Sequence, residues 1–296
     1  MTKPTLATIA LGGCEGCHMS LIDSHEGLLS LLEVVDLIWS PFTGPDAMPA
    51  HADVFMVEGA IQNDEDLARL LKAREAAGTL VAVGSCAVLG GIGGLRNLSP
   101  IEDVKAQAFG RNAEKSALLP TLEDNVRPIS DFVTVDMSLP GCAPETHLIV
   151  AALTAAVMGE PFELPKRNLC EECHRVKDKM LHHSSEFVAD SVYALMELDE
   201  IDPDACLLEQ GVMCMGPMTR EGCGALCTAV NVPCRGCSGA SRPDFEQGGK
   251  AVDALAAVLP AGAIMYMEDL IGTGYRFSMP VSVFPNAIPV KEAHDV

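Results

Sequence analysis

The sequence predicts an α/β fold, a parallel-sheet domain followed by a small, irregular, cysteine-rich domain, on three observations. From Thr5 to about Pro161 short apolar runs alternate with longer amphipathic ones, the pattern of strands joined by crossover helices. Three of the apolar runs end in glycine loops that carry cysteine: Cys14-Glu15-Gly16-Cys17, Gly84-Ser85-Cys86 and Pro140-Gly141-Cys142. The other eight of twelve cysteines fall between Cys170 and Cys237, where apolar periodicity is nearly lost.

Thr5 to Leu11, Val34 to Trp39, Asp53 to Val57, Leu80 to Val83 and Phe132 to Met137 read as strands. They are almost continuously apolar, as strands covered on both faces should be. Five parallel strands of this kind suggest a flavodoxin-like sheet. His18 to Leu32, Asp64 to Ala77 and Pro144 to Met158 read as helices, the second capped by Asn63 or Asp64 and stopped by Gly78, the third with Pro144 and Glu145 in its first turn. The prolines of Pro161-Phe162-Glu163-Leu164-Pro165 mark a linker, so the domains are expected at residues 1–162 and 163–296. Beyond the linker, Phe187 to Leu198 and Asp253 to Val258 have helical patterns. The apolar tail from Ile264 to Val290 is broken by Pro280, Pro285 and Pro289, and covers either the chain's own core or a partner.

A net charge of −21, from 20 basic and 41 acidic residues, argues against binding nucleic acid or an anionic membrane. With 4% aromatic residues a stacking platform is poorly supplied. Mean hydropathy is +0.22, yet no run reaches the roughly 18 uncharged apolar residues of a spanning helix. Met1-Thr2-Lys3 leads into the first strand without a leader pattern, so a soluble cytoplasmic protein is expected. Cysteines in that setting point to metal ligation over disulfides.

In a parallel sheet all strands point the same way, so Cys14, Cys17, Cys86 and Cys142 can meet at one edge, the edge where open α/β folds keep their sites. Two thiols spaced as Cys14 and Cys17 are half of a metal site or a redox dithiol. Four at one edge make a tetrathiolate site, against the alternative that Cys86 and Cys142 are buried packing residues. The downstream order is Cys170-x2-Cys173, Cys206-x7-Cys214, Cys223-x3-Cys227 and Cys234-x2-Cys237. Zinc takes four thiolates too, but the x7 and x3 intervals suit iron-sulfur clusters better than paired zinc ribbons.

Cys14-Glu15-Gly16-Cys17-His18-Met19-Ser20, Val57-Glu58-Gly59-Ala60, Gly84-Ser85-Cys86-Ala87, Gly141-Cys142-Ala143-Pro144-Glu145 and Gly211-Val212-Met213-Cys214-Met215-Gly216-Pro217 together resemble the small subunit of a NiFe hydrogenase. The resemblance covers almost the whole chain and is closest to the cytoplasmic group 3 enzymes that feed flavin, deazaflavin or heterodisulfide-reductase partners. It implies a proximal 4Fe-4S cluster on Cys14, Cys17, Cys86 and Cys142, a distal one on Cys170, Cys173, Cys206 and Cys214, and a medial one on Cys223, Cys227, Cys234 and Cys237. The NiFe centre is implied on a separate large subunit, and a further subunit takes the electrons. Periplasmic relatives have His where this chain has Cys170, and Pro where it has Cys227. Three cubanes of low potential are therefore expected.

Two carboxylates stand where protons can be passed. Glu15 lies between two proximal cysteines and is either a relay or a helix-terminal carboxylate held by backbone N–H groups. Glu58 ends the third strand at the same edge and is either a relay or a loop hydrogen-bond acceptor. His18 and His174 each follow a cysteine and read as supporting or surface residues. The rival readings are a quinone-reductase-like iron-sulfur subunit, a zinc-stabilised binding module and a thioredoxin-like oxidoreductase.

Overall fold

In the computed structural model, residues 2–42, 47–110, 119–178, 192–242, 246–259 and 269–284 are described. The chain forms two compact units, Met1–Leu164 together with the segment from Phe277 onward, and Pro165–Arg276. The first runs β1 (Thr5–Ala10), α1 (Gly16–Ile22), α2 (Glu26–Val34), β2 (Asp36–Trp39), β3 (Ala52–Glu58), β4 (Ile61–Asn63), α3 (Asp64–Ala76), β5 (Ala77–Val83), α4 (Ser85–Leu89), α5 (Ile101–Phe109), β6 (Leu122–Arg127), β7 (Met137–Leu139) and α6 (Thr146–Met158).

Five strands pair in the order β2-β1-β3-β5-β7, parallel throughout. This is the expected flavodoxin-like sheet, and it aims every strand's carboxyl end at one edge. Strand periodicity of two divides the apolar side chains between its faces. Ile9, Phe55 and Leu80 pack on one side with Leu70 and Ala73 of α3, while Leu6, Met56 and Val81 pack on the other with Ile149 and Leu153 of α6. All ten are fully buried, each large side chain contributing about 1.5–3 kcal/mol of transfer free energy.

Several boundaries differ from expectation for local physical reasons. The helix expected over His18 to Leu32 is two helices, because the Ser24 hydroxyl donates to the Leu21 carbonyl at 2.6 Å and His25 turns to φ 47°, ending the first helix. Asn63 does cap α3, accepting the Asp66 N–H at 2.8 Å. Gly78 does not stop that helix but lies in β5, where a Cβ would come 2.8 Å from the Asp53 carbonyl of the neighbouring strand. The strand expected over Phe132 to Met137 starts only at Met137, since Asp136 turns its carboxylate back to accept the Leu80 N–H at 2.7 Å. β4 and β6 form an antiparallel ribbon that was not expected.

The second unit packs Leu207, Leu208, Met215, Met218 and Leu255 around the buried Cys214 and Cys234. Its longest described helix, Gln247–Val258, includes the expected Asp253 to Val258. Of the helix expected over Phe187 to Leu198, residues 187–191 lie outside the described residues, and Leu195–Glu197 is a single 3-10 turn. Of the apolar tail, 264–268 and 285–290 lie outside the described residues. Phe277 and Met279 are buried, and Pro280 lies against Gly90 and Gly94 so closely that a Cβ on either would collide with it. This part of the tail covers its own unit. No helix among the described residues is long and apolar enough to cross a membrane.

Candidate metal centres

The loops after β1, β5 and β7 bring Cys14, Cys17, Cys86 and Cys142 to one solvent-open cavity, with Glu15 and Glu58 on its wall. Backbone bonds lock the loops together. Ser85 N–H donates to the Gly141 carbonyl at 2.8 Å, and Gly141 N–H donates back to Ser85 Oγ at 3.0 Å. Gly84 and Gly91 have φ of +91° and +66°, and a Cβ would lie 2.3 Å from Cys17 Sγ or 2.5 Å from Cys86 Sγ. Only glycine allows the backbone to pass the sulfurs this closely.

Burial, then the Glu58 charge and the neighbouring Cys86 and Cys142, pushes the Cys17 thiol far above its ordinary range. Burial and the charges of Cys14 and Glu58 push Cys86 up to about 11. Thiols so placed ionise readily only when a cationic centre binds them, which is the linkage expected of a metal site.

Glu58 is buried at 2% exposure. Its Oε2 accepts the His18 backbone N–H at 2.9 Å and lies 3.1 Å from His18 Nδ1, a contact whose angle is not that of a hydrogen bond. His18 is therefore a core residue, edge-on to Phe42 at 5.6 Å. Glu15 is exposed at the cavity mouth. It takes φ 61° ahead of α1 and its side chain makes no capping hydrogen bond.

In the second unit Cys170, Cys173, Cys206 and Cys214 line one cavity. Burial pushes Cys170 up to about 12 against the opposing charge of Lys177, and burial raises Cys206 and Cys214 as well. Gly216 passes so close that a Cβ would sit 3.2 Å from Cys170 Sγ. Among the last four cysteines, Cys234 N–H donates to Cys214 Sγ at 3.3 Å. Burial raises Cys223 to about 11, with Cys237, Glu172 and Cys227 adding to it, and burial with Cys214 and Cys237 raises Cys234. Glu172 Oε1 holds this loop by accepting Gly222 N–H at 2.8 Å and Cys223 N–H at 3.2 Å. His174 is exposed.

Sequence reasoning missed Arg175 and Lys177, which line the second-unit cavity, and Thr228, whose hydroxyl lies 3.3 Å from Cys173 Sγ. Basic residues just after a cysteine pair in a strongly acidic chain were the available signal. All-sulfur donors and glycines that abut sulfur fit iron-sulfur clusters.

A family described as NADH ubiquinone oxidoreductase, 20 Kd subunit, matches residues 14–156. An F420-non-reducing hydrogenase subunit of Methanothermobacter marburgensis is 36% identical, over 97% of each chain. A chain of an NAD+-reducing [NiFe]-hydrogenase crystal structure is 37% identical with a TM-score of 0.52, covering 55% of this chain and 96% of that one. This chain belongs to the NiFe hydrogenase small subunits. The delta chain of the NAD-reducing hydrogenase HoxS of Cupriavidus necator is 35% identical, over 55% of this chain and 83% of that one. A chain of the [NiFeSe]-hydrogenase of Dm. baculatum shares the fold at 20% identity, with a TM-score of 0.54 over 84% of this chain. The ubiquinone-oxidoreductase family reaches only the first unit, whereas the match to the Methanothermobacter protein runs on through the eight-cysteine region. That full-length membership sets aside the quinone-reductase, zinc-module and thioredoxin-like readings for this hydrogenase small subunit.

Proposed function

We propose that this small subunit carries electrons one at a time between a NiFe site on a separate large subunit and a redox partner, through three 4Fe-4S clusters. Cys14, Cys17, Cys86 and Cys142 hold the proximal cluster, Cys223, Cys227, Cys234 and Cys237 the medial one, and Cys170, Cys173, Cys206 and Cys214 the distal one. The observation that carries this reading is the meeting of four strand-end cysteines, far apart in sequence, in one cavity. Bound there, the clusters supply one-electron carriers. The chain's own residues hold them, with Cys214 and Cys234 buried.

Glu15 and Glu58 pass protons arriving from the large subunit, Glu58 from inside the fold and Glu15 at the cavity mouth. The protein is cytoplasmic and of the group 3 type. Its full-length relatives are named F420-non-reducing hydrogenase subunits, which supports an acceptor subunit of the flavin or heterodisulfide-reductase-linked kind over a deazaflavin-reducing one.

The complex purified without oxygen should be brown and hold about twelve irons and twelve sulfides in this subunit, with a hydrogenase large subunit and an acceptor subunit copurifying. A colourless chain with stoichiometric zinc overturns the assignment. Glu15→Gln should slow H2 turnover while the clusters remain reducible; unimpaired turnover removes Glu15 from the proton path.

A further inference from the structure

The two cysteine cavities are bordered by residues of opposite charge. Among the described residues, the wall of the first has the carboxylates Glu15 and Glu58 and no basic side chain. The wall of the second has Arg175 and Lys177 and no carboxylate. Such a pair of cations stands out in a chain of 20 basic and 41 acidic residues.

Arg175 is only 3% exposed. Its Nε donates to the Thr228 carbonyl at 3.0 Å, one terminal nitrogen to the Asp202 and Ala205 carbonyls at 2.8 Å each, and the other to Asn231 Oδ1 at 2.5 Å. All four acceptors are neutral, so the guanidinium keeps its charge where solvent screens it little. Lys177 adds a second cation, with Nζ 2.5 Å from the Cys170 carbonyl. Glu209 acts on Cys206 from outside the wall with the opposite sign.

We propose that Arg175 and Lys177 raise the reduction potential of the cluster on Cys170, Cys173, Cys206 and Cys214 above that of the cluster on Cys14, Cys17, Cys86 and Cys142, so that electrons run downhill from the first-unit site to the second-unit site. The inference rests on the ligand assignment above. Reduction adds one negative charge to a site, so fixed cations favour the reduced form and carboxylates the oxidised one. One electron is lost at the Cys14 set for each gained at the Cys170 set. No bond is made or broken and no proton is taken up. The electron originates in H2 oxidised on the large subunit and leaves to the acceptor subunit.

The test is an EPR-monitored redox titration of the complete complex carrying Lys177→Met or Arg175→Lys, with iron and sulfide counted in each. Lys177→Met should keep full iron and shift one cluster about tenfold toward oxidation, equivalent to about 59 mV for one electron. Arg175→Lys, which keeps the charge, should stay within about threefold of the parent. Full iron with every midpoint unmoved in Lys177→Met overturns the charge effect, as does an equal shift in Arg175→Lys. Cys170→Ala separates this from the ligand assignment: a full iron count there overturns the assignment itself, while loss of one cluster leaves it standing whatever Lys177→Met shows.

Discussion

Glu58 Oε2 lies 2.9 Å from the backbone nitrogen of His18 and 3.1 Å from its ring Nδ1, with both side chains 3% exposed. One carboxylate thus ties the end of β3 to the first turn of α1, directly beside Cys17. Glu58→Gln keeps an acceptor for the amide and should cost little stability. Glu58→Ala leaves a buried N–H without its partner and should cost about 1–3 kcal/mol in chemical denaturation. In apo-protein the Gln variant also removes a charge that raises Cys17. Alkylation of Cys17 should then begin at lower pH than in the parent.

Gly84 and Gly91 give the most local test of the first cavity. Alanine at either would place a Cβ within 2.5 Å of a cysteine sulfur at a backbone angle that side chains avoid. Gly84→Ala or Gly91→Ala should lose the iron of one cluster, about four atoms by chemical assay, while the remaining iron-sulfur signals persist. Gly159→Ala, also at positive φ but with no atom near its Cβ, should keep full iron.

The sheet and its cysteine edge were legible in the sequence because buried parallel strands are nearly all apolar and their loops are marked by glycine and cysteine. β4 and β6 were not, since Leu122-Glu123-Asp124-Asn125-Val126-Arg127 has neither an apolar run nor strict alternation. Phe132, Val133 and Val135 read as strand because they are apolar and partly β-branched, yet they pack on the core from irregular backbone. In the second unit the helical pattern over Asp253 to Val258 was informative, whereas that over the described part of Phe187 to Leu198 was not. Short turns there are held by contacts such as those of Arg175, which no periodicity encodes.

Asp136 should give the first unit an acid-sensitive joint. Burial alone would raise its carboxyl, but the Leu80 N–H and the Arg74 guanidinium, each at 2.7 Å, overcome this and hold it below the usual carboxylate range. A lowered folded-state value means that the stabilisation is complete above the unfolded-state range near pH 4 and is lost as pH falls through the folded-state value. The Asp136 side chain is 40% exposed, which limits the effect to about 1 kcal/mol. Asp136→Asn should therefore be less stable than the parent in urea at pH 7, and the two should converge near pH 2.

Cys227 is the position where the expected medial set can be altered most sparingly. It is the second residue of the helical turn Leu226–Ala229, where a first-turn N–H needs no intrahelical acceptor, so proline is tolerated there. Cys227→Pro removes one thiol of the set with Cys223, Cys234 and Cys237 while leaving the local backbone in place. If that set holds a cubane, the variant should retain about one iron fewer and show a three-iron signal in the oxidised protein. An unchanged iron count and an unchanged reduced-state EPR spectrum would remove Cys227 from the ligand set. Thermal unfolding should move little in either case, because Cys227 is exposed and lies outside the apolar cluster that holds the second unit together.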